Sequence, residues 1–316
     1  MNKLSKHLRI PLAMACVYLF WGGTYLGMKF ALASLPPFLL AGLRFLIAGS
    51  VLYAAARLSG APRPKWREWT GPASVGAFLL LGGNGGICWA EQYIPSGVAA
   101  LMAATMPLCT TLIGWLVWRG KRPKRLVVLG LLVGFGGIAL MTWQSGQLGG
   151  DGRIGGLGLA VCALAVLSWS FGSTLSPRAK QPASPILATA MQQLSGGALL
   201  LLVAAFTGDY ARFDAAGLTW RAVLSFAYLV VFGSLVAYSA YVWLLRNADL
   251  AFVSTYTYVN PLVAVLLGWL LADEPVRPGF LVSVAVILTG VLLVNRFKDG
   301  AEVVKKTSVT MAAEGE

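Results

Sequence analysis

Long apolar runs alternate with short polar breaks along the whole chain, and Pro, Gly and clustered charges mark the breaks. The runs cover roughly 10–33, 36–57, 71–93, 97–118, 126–143, 155–175, 185–207, 220–245, 251–272 and 279–296. Each is close to the ~20 residues with which a helix crosses a bilayer. The pattern predicts ten transmembrane helices. The first run follows Lys3, Lys6 and Arg9 and ends in Ala31-Leu32-Ala33, as a secretory signal would. It is longer than an apolar core of about 7–15 residues, and a later run repeats it, so it reads as a retained helix. Residues 1–9 form a cytoplasmic lead, and 298–316, polar and without apolar period, read as a disordered cytoplasmic tail.

Composition narrows the class. Of 316 residues 57% are apolar and 12% charged, with a mean hydropathy of +0.72. Soluble chains carry about 25% charged residues, so there is too little charge here to wet a globule of this size. The fold class is therefore all-α integral membrane, and the 37 glycines read as sites of close helix packing. The net charge of +13 would suit nucleic acid, but the cations come in bursts between apolar runs and no basic surface with interleaved aromatics exists. They suit lipid headgroups instead. With the N-terminus in the cytoplasm, nineteen Lys and Arg fall on the cytoplasmic side and four (Arg153, Arg212, Arg221, Arg277) on the other. That asymmetry predicts an even number of spans with both termini cytoplasmic. Cys16, Cys88, Cys109 and Cys162 lie inside apolar runs without pair spacing, so neither a disulfide framework nor a metal or cofactor site is indicated.

The chain also repeats itself. Shifted by 148, Trp169 falls on Trp21, Gly172 on Thr24, Pro185 on Pro37, Gln192 on Arg44 and Gly197 on Gly49. Shifted by 154, Pro261 falls on Pro107, Gly268-Trp269-Leu270 on Gly114-Trp115-Leu116, and Gly290 on Gly136. Two repeats of five helices follow, at 10–145 and 153–297. An odd number of spans returns the chain to the opposite face, so like-folded halves must have inverted topology around a central cavity. Such halves serve alternating access, one rocking on the other.

Three charged residues fall within the spans: Lys29, Arg44 and Glu91. Each would cost about 2.5–3.5 kcal/mol at the centre of a lone helix. Lys29 has a plain reading as a side chain snorkelling to the interface. Arg44 and Glu91 read either as a structural ion pair or as a hydrated site that attracts a carboxylate, with Glu91 able to exchange a proton. Pro107 and Pro261 each remove a mid-helix hydrogen bond at matched places, freeing carbonyls near 103 and 257 to line a cavity and hinge a gate. Trp21, Thr24, Trp169, Gln192, Tyr238, Tyr256, Tyr258, Asn260 and Asn84 place aromatic and amide groups deep in the spans. For the amides, interhelical hydrogen bonding is the plainer role. Asn84, Cys88 and Glu91 share a helical face, as do Tyr256 and Asn260.

Several ordered motifs carry a resemblance. They are Trp21-Gly-Gly-Thr-Tyr25, Pro36-Pro37 with Ala41-Gly-Leu-Arg44-Phe, Gly83-Asn84-Gly85 with Ala90-Glu91-Gln92, Pro95-Ser-Gly97 with Ala104-Thr105-Met-Pro107-Leu, and Ser254-Thr-Tyr256-Thr-Tyr258-Val-Asn260-Pro261. Over about 10–297 the chain resembles the EamA-type branch of the drug/metabolite transporter superfamily, and within it is similar to the YedA-like exporters. The resemblance implies a ten-helix, two-repeat bundle in a bacterial inner membrane. Its first four helices of each half would surround the cavity, and the fifth would brace it from outside. The implied activity is export of amino acids, small metabolites or toxic organic molecules. The small multidrug branch carries a carboxylate in its first helix and this chain has none there, so any proton coupling would fall to Glu91. The expected partners are a small-molecule substrate and the lipid bilayer, no nucleic acid, and a homodimer is left open.

Two other classes compete. An intramembrane enzyme needs a nucleophile with a base or a metal cluster, yet the lone histidine, His7, precedes the first span and neither H-E-x-x-H nor G-x-S-x-G occurs. A channel would show rings of like residues around a symmetric pore, and the sequence shows none. No G-x-x-x-x-G-K-[ST] loop occurs either, so transport would be secondary, in the direction of export or of uptake.

Overall fold

The computed structural model describes residues 3–94, 99, 102–144, 156–272 and 279–297, and these are all helical or in connections, with no strand among them. The helices are α1 (Lys3–Leu32), α2 (Pro37–Leu58), α3 (Trp66–Ala90), α4 (Met106–Leu116), α5 (Arg125–Gln144), α6 (Gly156–Leu175), α7 (Pro185–Phe206), α8 (Trp220–Asn247), α9 (Tyr256–Ala272) and α10 (Phe280–Phe297). Among the described residues six of these are long and apolar enough to cross a membrane, namely α1, α2, α3, α6, α7 and α8. Short helices at Asp209–Arg212 and Leu250–Ser254 precede α8 and α9. The 298–316 tail and most of the connection between the proposed repeats lie outside the described residues.

Local chemistry sets the starts. Pro37 and Pro185 occupy the first turns of α2 and α7, where a missing N–H costs nothing and the fixed φ suits a helix. Ser184 Oγ, Thr219 Oγ1 and Asp249 Oδ1 accept the N–H groups of Leu187, Ala222 and Phe252 at 3.3, 3.2 and 3.1 Å, which satisfies donors that no helical carbonyl can reach.

The packing pairs like with like. α2 lies along α7 and α5 along α10, while α1 packs on α8 and α9, and α6 on α3 and α4. At the α2–α7 contact, a Cβ on Gly49 would stand 2.9 Å from the backbone nitrogen of Leu194, and one on Gly197 would stand 2.9 Å from that of Leu46. Only glycine allows backbones this close.

Four of the apolar runs depart from regular α geometry. α3 and α8 each contain a nine-residue π-helical stretch, Ala77–Gly85 and Leu229–Ala237. The fourth and ninth runs, expected as single bent helices, are interrupted at Ala104–Thr105 and at Thr255. At each break a threonine turns back on its own chain. Thr105 Oγ1 donates to Met102 O and Thr255 Oγ1 to Phe252 O, both at 2.6 Å. A hydroxyl that takes a carbonyl in this way competes with the helical ladder. The breaks therefore fall at the threonines, Pro107 sits in the first turn after one of them, and Pro261 lies inside α9.

Candidate functional site

An interhelical cavity lies between helices of both halves of the chain. Its walls are Trp21, Thr24 and Met28 of α1, Arg44 and Phe45 of α2, Asn84 and Ile87 of α3, and Ala103 and Met106 at the α4 break. Trp169 of α6, Tyr238 of α8 and Tyr256, Thr257 and Asn260 of α9 complete it. Its volume is about 80 Å³, below the ~300–1,000 Å³ of small-molecule sites, so the described conformation holds these walls close together.

Four aromatic rings pack together at its wall, three of them lining it and Tyr241 buried behind. The Trp21 ring lies 5.7 Å from Trp169, 5.0 Å from Tyr241 and 4.9 Å from Tyr256, centroid to centroid, and Tyr241 lies 5.5 Å from Tyr256. Edge-on and tilted contacts of this kind favour the quadrupoles of the rings. Trp169 Nε1 donates to Tyr241 Oη at 3.1 Å, and Ser173 Oγ lies 2.6 Å from the same oxygen.

The π-helical stretch of α8 forms the polar side. There the N–H of Tyr238 donates to Gly233 O, five residues back, which leaves the Ser234 carbonyl to another donor. Gln193 Nε2 takes it at 3.0 Å. Trp21 Nε1 donates to Gly233 O at 3.0 Å, and Arg44 Nε to Ser234 Oγ at 2.7 Å. Arg44 is 4% exposed, and its guanidinium lies 4.8 Å over the Phe45 ring. π-Helical turns recur at functional sites. Here the distortion places a backbone carbonyl and a hydroxyl on neighbouring residues, one for Trp21 and one for Arg44.

Of the site residues expected from sequence, Trp21, Thr24, Arg44, Asn84, Trp169, Tyr238, Tyr256 and Asn260 come together on this cavity. Three do not. Gln192 lies behind Tyr238, accepting from its Oη at 3.0 Å and donating to Gln181 Oε1 at 2.7 Å. Tyr258 points to α5, where its Oη donates to Leu131 O at 2.9 Å. Glu91 lines a second cavity with Ser34, Pro36, Gln92, Arg212 and Asp214, and its Oε1 is buried without a hydrogen-bond partner. Arg44 and Glu91 thus face different hollows. The side chain of Lys29 lies outside the described residues.

Some assigned residues also have structural duties. Thr24 Oγ1 donates to Trp21 O at 2.6 Å. The Asn260 amide, oriented to satisfy its neighbours, donates to Tyr18 O at 3.2 Å and Tyr256 O at 3.1 Å, which ties α9 to α1. Sequence reasoning left out Ser234, Met28, Phe45, Ile87 and Met106. Ala103 and Thr257, whose carbonyls Pro107 and Pro261 deprive of their helical partners, do line the cavity. Among the described residues, no group of three or more His, Cys, Asp or Glu converges as a metal site.

A model described as the EamA-like transporter family matches the chain twice, over residues 8–143 and 156–296. The uncharacterized inner membrane transporter YedA of Escherichia coli (strain K12) is 35% identical over 284 residues, covering 90% of this chain and 89% of that protein. The uncharacterized transporter YvbV of Bacillus subtilis (strain 168) is 27% identical over 300 residues, covering 93% of this chain and 94% of that one. A solved structure described only as the crystal structure of a protein shares the fold, with a TM-score of 0.73 at 21% identity over 91% of this chain and 97% of its own.

Proposed function

The chain belongs to the EamA-like transporter family, whose relative YedA is an inner membrane transporter, and on that premise we propose that it is a secondary transporter exporting amino acids, small metabolites or toxic organic molecules by alternating access. The observation that carries this reading is the cavity, walled by the matched residues Trp21 and Trp169 of the two halves. A site shared by two halves can be offered to either side of the membrane as one rocks on the other.

The ten-span, inverted-repeat architecture is part of the same proposal. It is supported by the twofold match of one family model, by the like-with-like helix pairing and by the reciprocal Gly49–Leu194 and Gly197–Leu46 approaches. Five spans in each half invert the second relative to the first. The Lys and Arg asymmetry of the connections supports cytoplasmic termini. In this cycle substrate contacts Trp21, Asn84, Trp169, Tyr238, Tyr256 and Asn260, and the breaks beside Pro107 and Pro261 bend as the halves rock. Glu91, in the second cavity, is the candidate for proton exchange.

The test is exchange of radiolabelled amino acids, nucleosides and organic cations in proteoliposomes at two pH gradients. Wild type should give saturable exchange of at least one class, and Arg44→Ala should bring it close to background with membrane insertion intact. Glu91→Gln should flatten the pH dependence. Flux that rises linearly with concentration would point to a pore and overturn the transporter reading.

A further inference from the structure

The charge in the interhelical cavity is one-sided. Arg44 is the one ionised group among the described residues that line it, and the rest are aromatic, amide, hydroxyl or aliphatic. Among the described residues no carboxylate pairs with Arg44, and its guanidinium makes one hydrogen bond, from Nε to Ser234 Oγ. A buried cation held without a counter-charge costs several kcal/mol, which a bound anion would offset. Two helix starts add to it. α4 and α9 both begin at breaks on the cavity wall, at Met106 and Tyr256, and the first turns of helices carry partial positive charge. Ser234 fixes the position of the guanidinium, and the preceding residue, Gly233, fixes Trp21 through its carbonyl. The cation and the ring cluster of Trp21, Trp169, Tyr241 and Tyr256 are therefore held side by side.

Resting on the transporter reading, we propose that the substrate is a carboxylate with a flat apolar body. The carboxylate binds Arg44, the body lies on the aromatic cluster, and an amino group is dispensable. With no lining carboxylate to balance a second positive charge beside Arg44, an organic cation is repelled.

Three ligands with the same ring and chain length separate the charges: 3-phenylpropionate (anion), phenylalanine (zwitterion) and phenethylamine (cation). Binding to the full-length protein in detergent is read by quenching of tryptophan fluorescence and by calorimetry. We expect 3-phenylpropionate to bind at least as tightly as phenylalanine, and phenethylamine to bind more than about tenfold more weakly. Arg44→Gln should weaken 3-phenylpropionate about tenfold or more and strengthen phenethylamine, whose repulsion by the guanidinium it removes. Arg44→Lys, which keeps the charge and loses the planar fork, should fall between. Phenethylamine binding as well as 3-phenylpropionate in wild type would overturn the proposal, whatever the variants do. So would undiminished 3-phenylpropionate affinity in folded Arg44→Gln. Equilibrium binding in this order without exchange in liposomes would overturn the transport reading while supporting this one.

Discussion

A single buried carboxylate holds the beginning of α2. Asp209 is fully buried, and its Oδ2 accepts the N–H groups of Phe38 and Leu39 at 2.8 and 3.1 Å. Its Oδ1 accepts from Thr207 Oγ1 at 3.1 Å and pairs with Arg212. Pro37 has no N–H to satisfy, so these two donors are the unpaired start of the helix, and the acid caps both from a distant part of the chain. Asp209→Ala leaves two buried donors without a partner at about 1–3 kcal/mol each. Allowing for partial rescue by water, it should destabilise the protein by roughly 2–4 kcal/mol. Asp209→Asn keeps one acceptor and should cost less. Thermal unfolding in detergent measures both, and an unchanged midpoint for the alanine variant would mean that water serves the cap fully.

At the scale of elements, apolar periodicity and proline placement made most helices legible, since both are local. α2, α5, α6, α7 and α10 lie within two residues of the runs that predict them. The π-helical stretches were not legible, because a one-residue change in register leaves the apolar pattern intact while turning the face that follows it. Asn84 and Glu91, placed on one face by regular α spacing, lie two turns apart along the axis and open onto different cavities. Tyr256 and Tyr258 were grouped by proximity in sequence, yet two residues turn a helix through about 200°, and they point to the cavity and to α5. Asp209 and Ser234 were missed because their partners lie 171 and 190 residues away. The repeat was legible in Gly49 and Gly197, and packing explains it. Gly197→Val should separate α7 from α2 and lower the unfolding temperature by several degrees, equivalent to roughly 2 kcal/mol or more. Gly136→Ala is the control, since a Cβ there meets nothing within 4 Å, and it should be neutral or stabilising by up to ~1 kcal/mol. Equal midpoints for the two variants would refute close packing as the reason for glycine at 197.

For the whole molecule, the bonds between halves define which end is shut. Thr110 Oγ1 lies 3.2 Å from Ser254 Oγ, Tyr18 Oη lies 2.9 Å from Thr255 Oγ1, and Trp118 Nε1 donates to Thr174 Oγ1 at 2.9 Å. Arg246 Nη2 donates to Gln181 Oε1 at 2.7 Å within the second half. In the proposed topology, where successive helices alternate in direction, these contacts share the end where α4 leads into α5, α6 into α7 and α8 into α9. The second cavity, between the α1–α2 connection, the end of α3 and the segment before α8, lies at the other end. If the Lys and Arg asymmetry sets the orientation, the described conformation is closed to the cytoplasm, and transport requires the Thr110–Ser254 contact to part. Thr110→Cys with Ser254→Cys, in a chain whose four native cysteines are replaced, places two thiols at that contact. Oxidation should hold the end shut and reduce exchange in liposomes by roughly tenfold or more, because a covalent bond removes the second state from the equilibrium. Reduction should restore exchange, and each single cysteine variant should be insensitive to oxidant. If the cross-link forms quantitatively and exchange continues at its original rate, the halves do not separate at this end, and alternating access through the cavity fails with it.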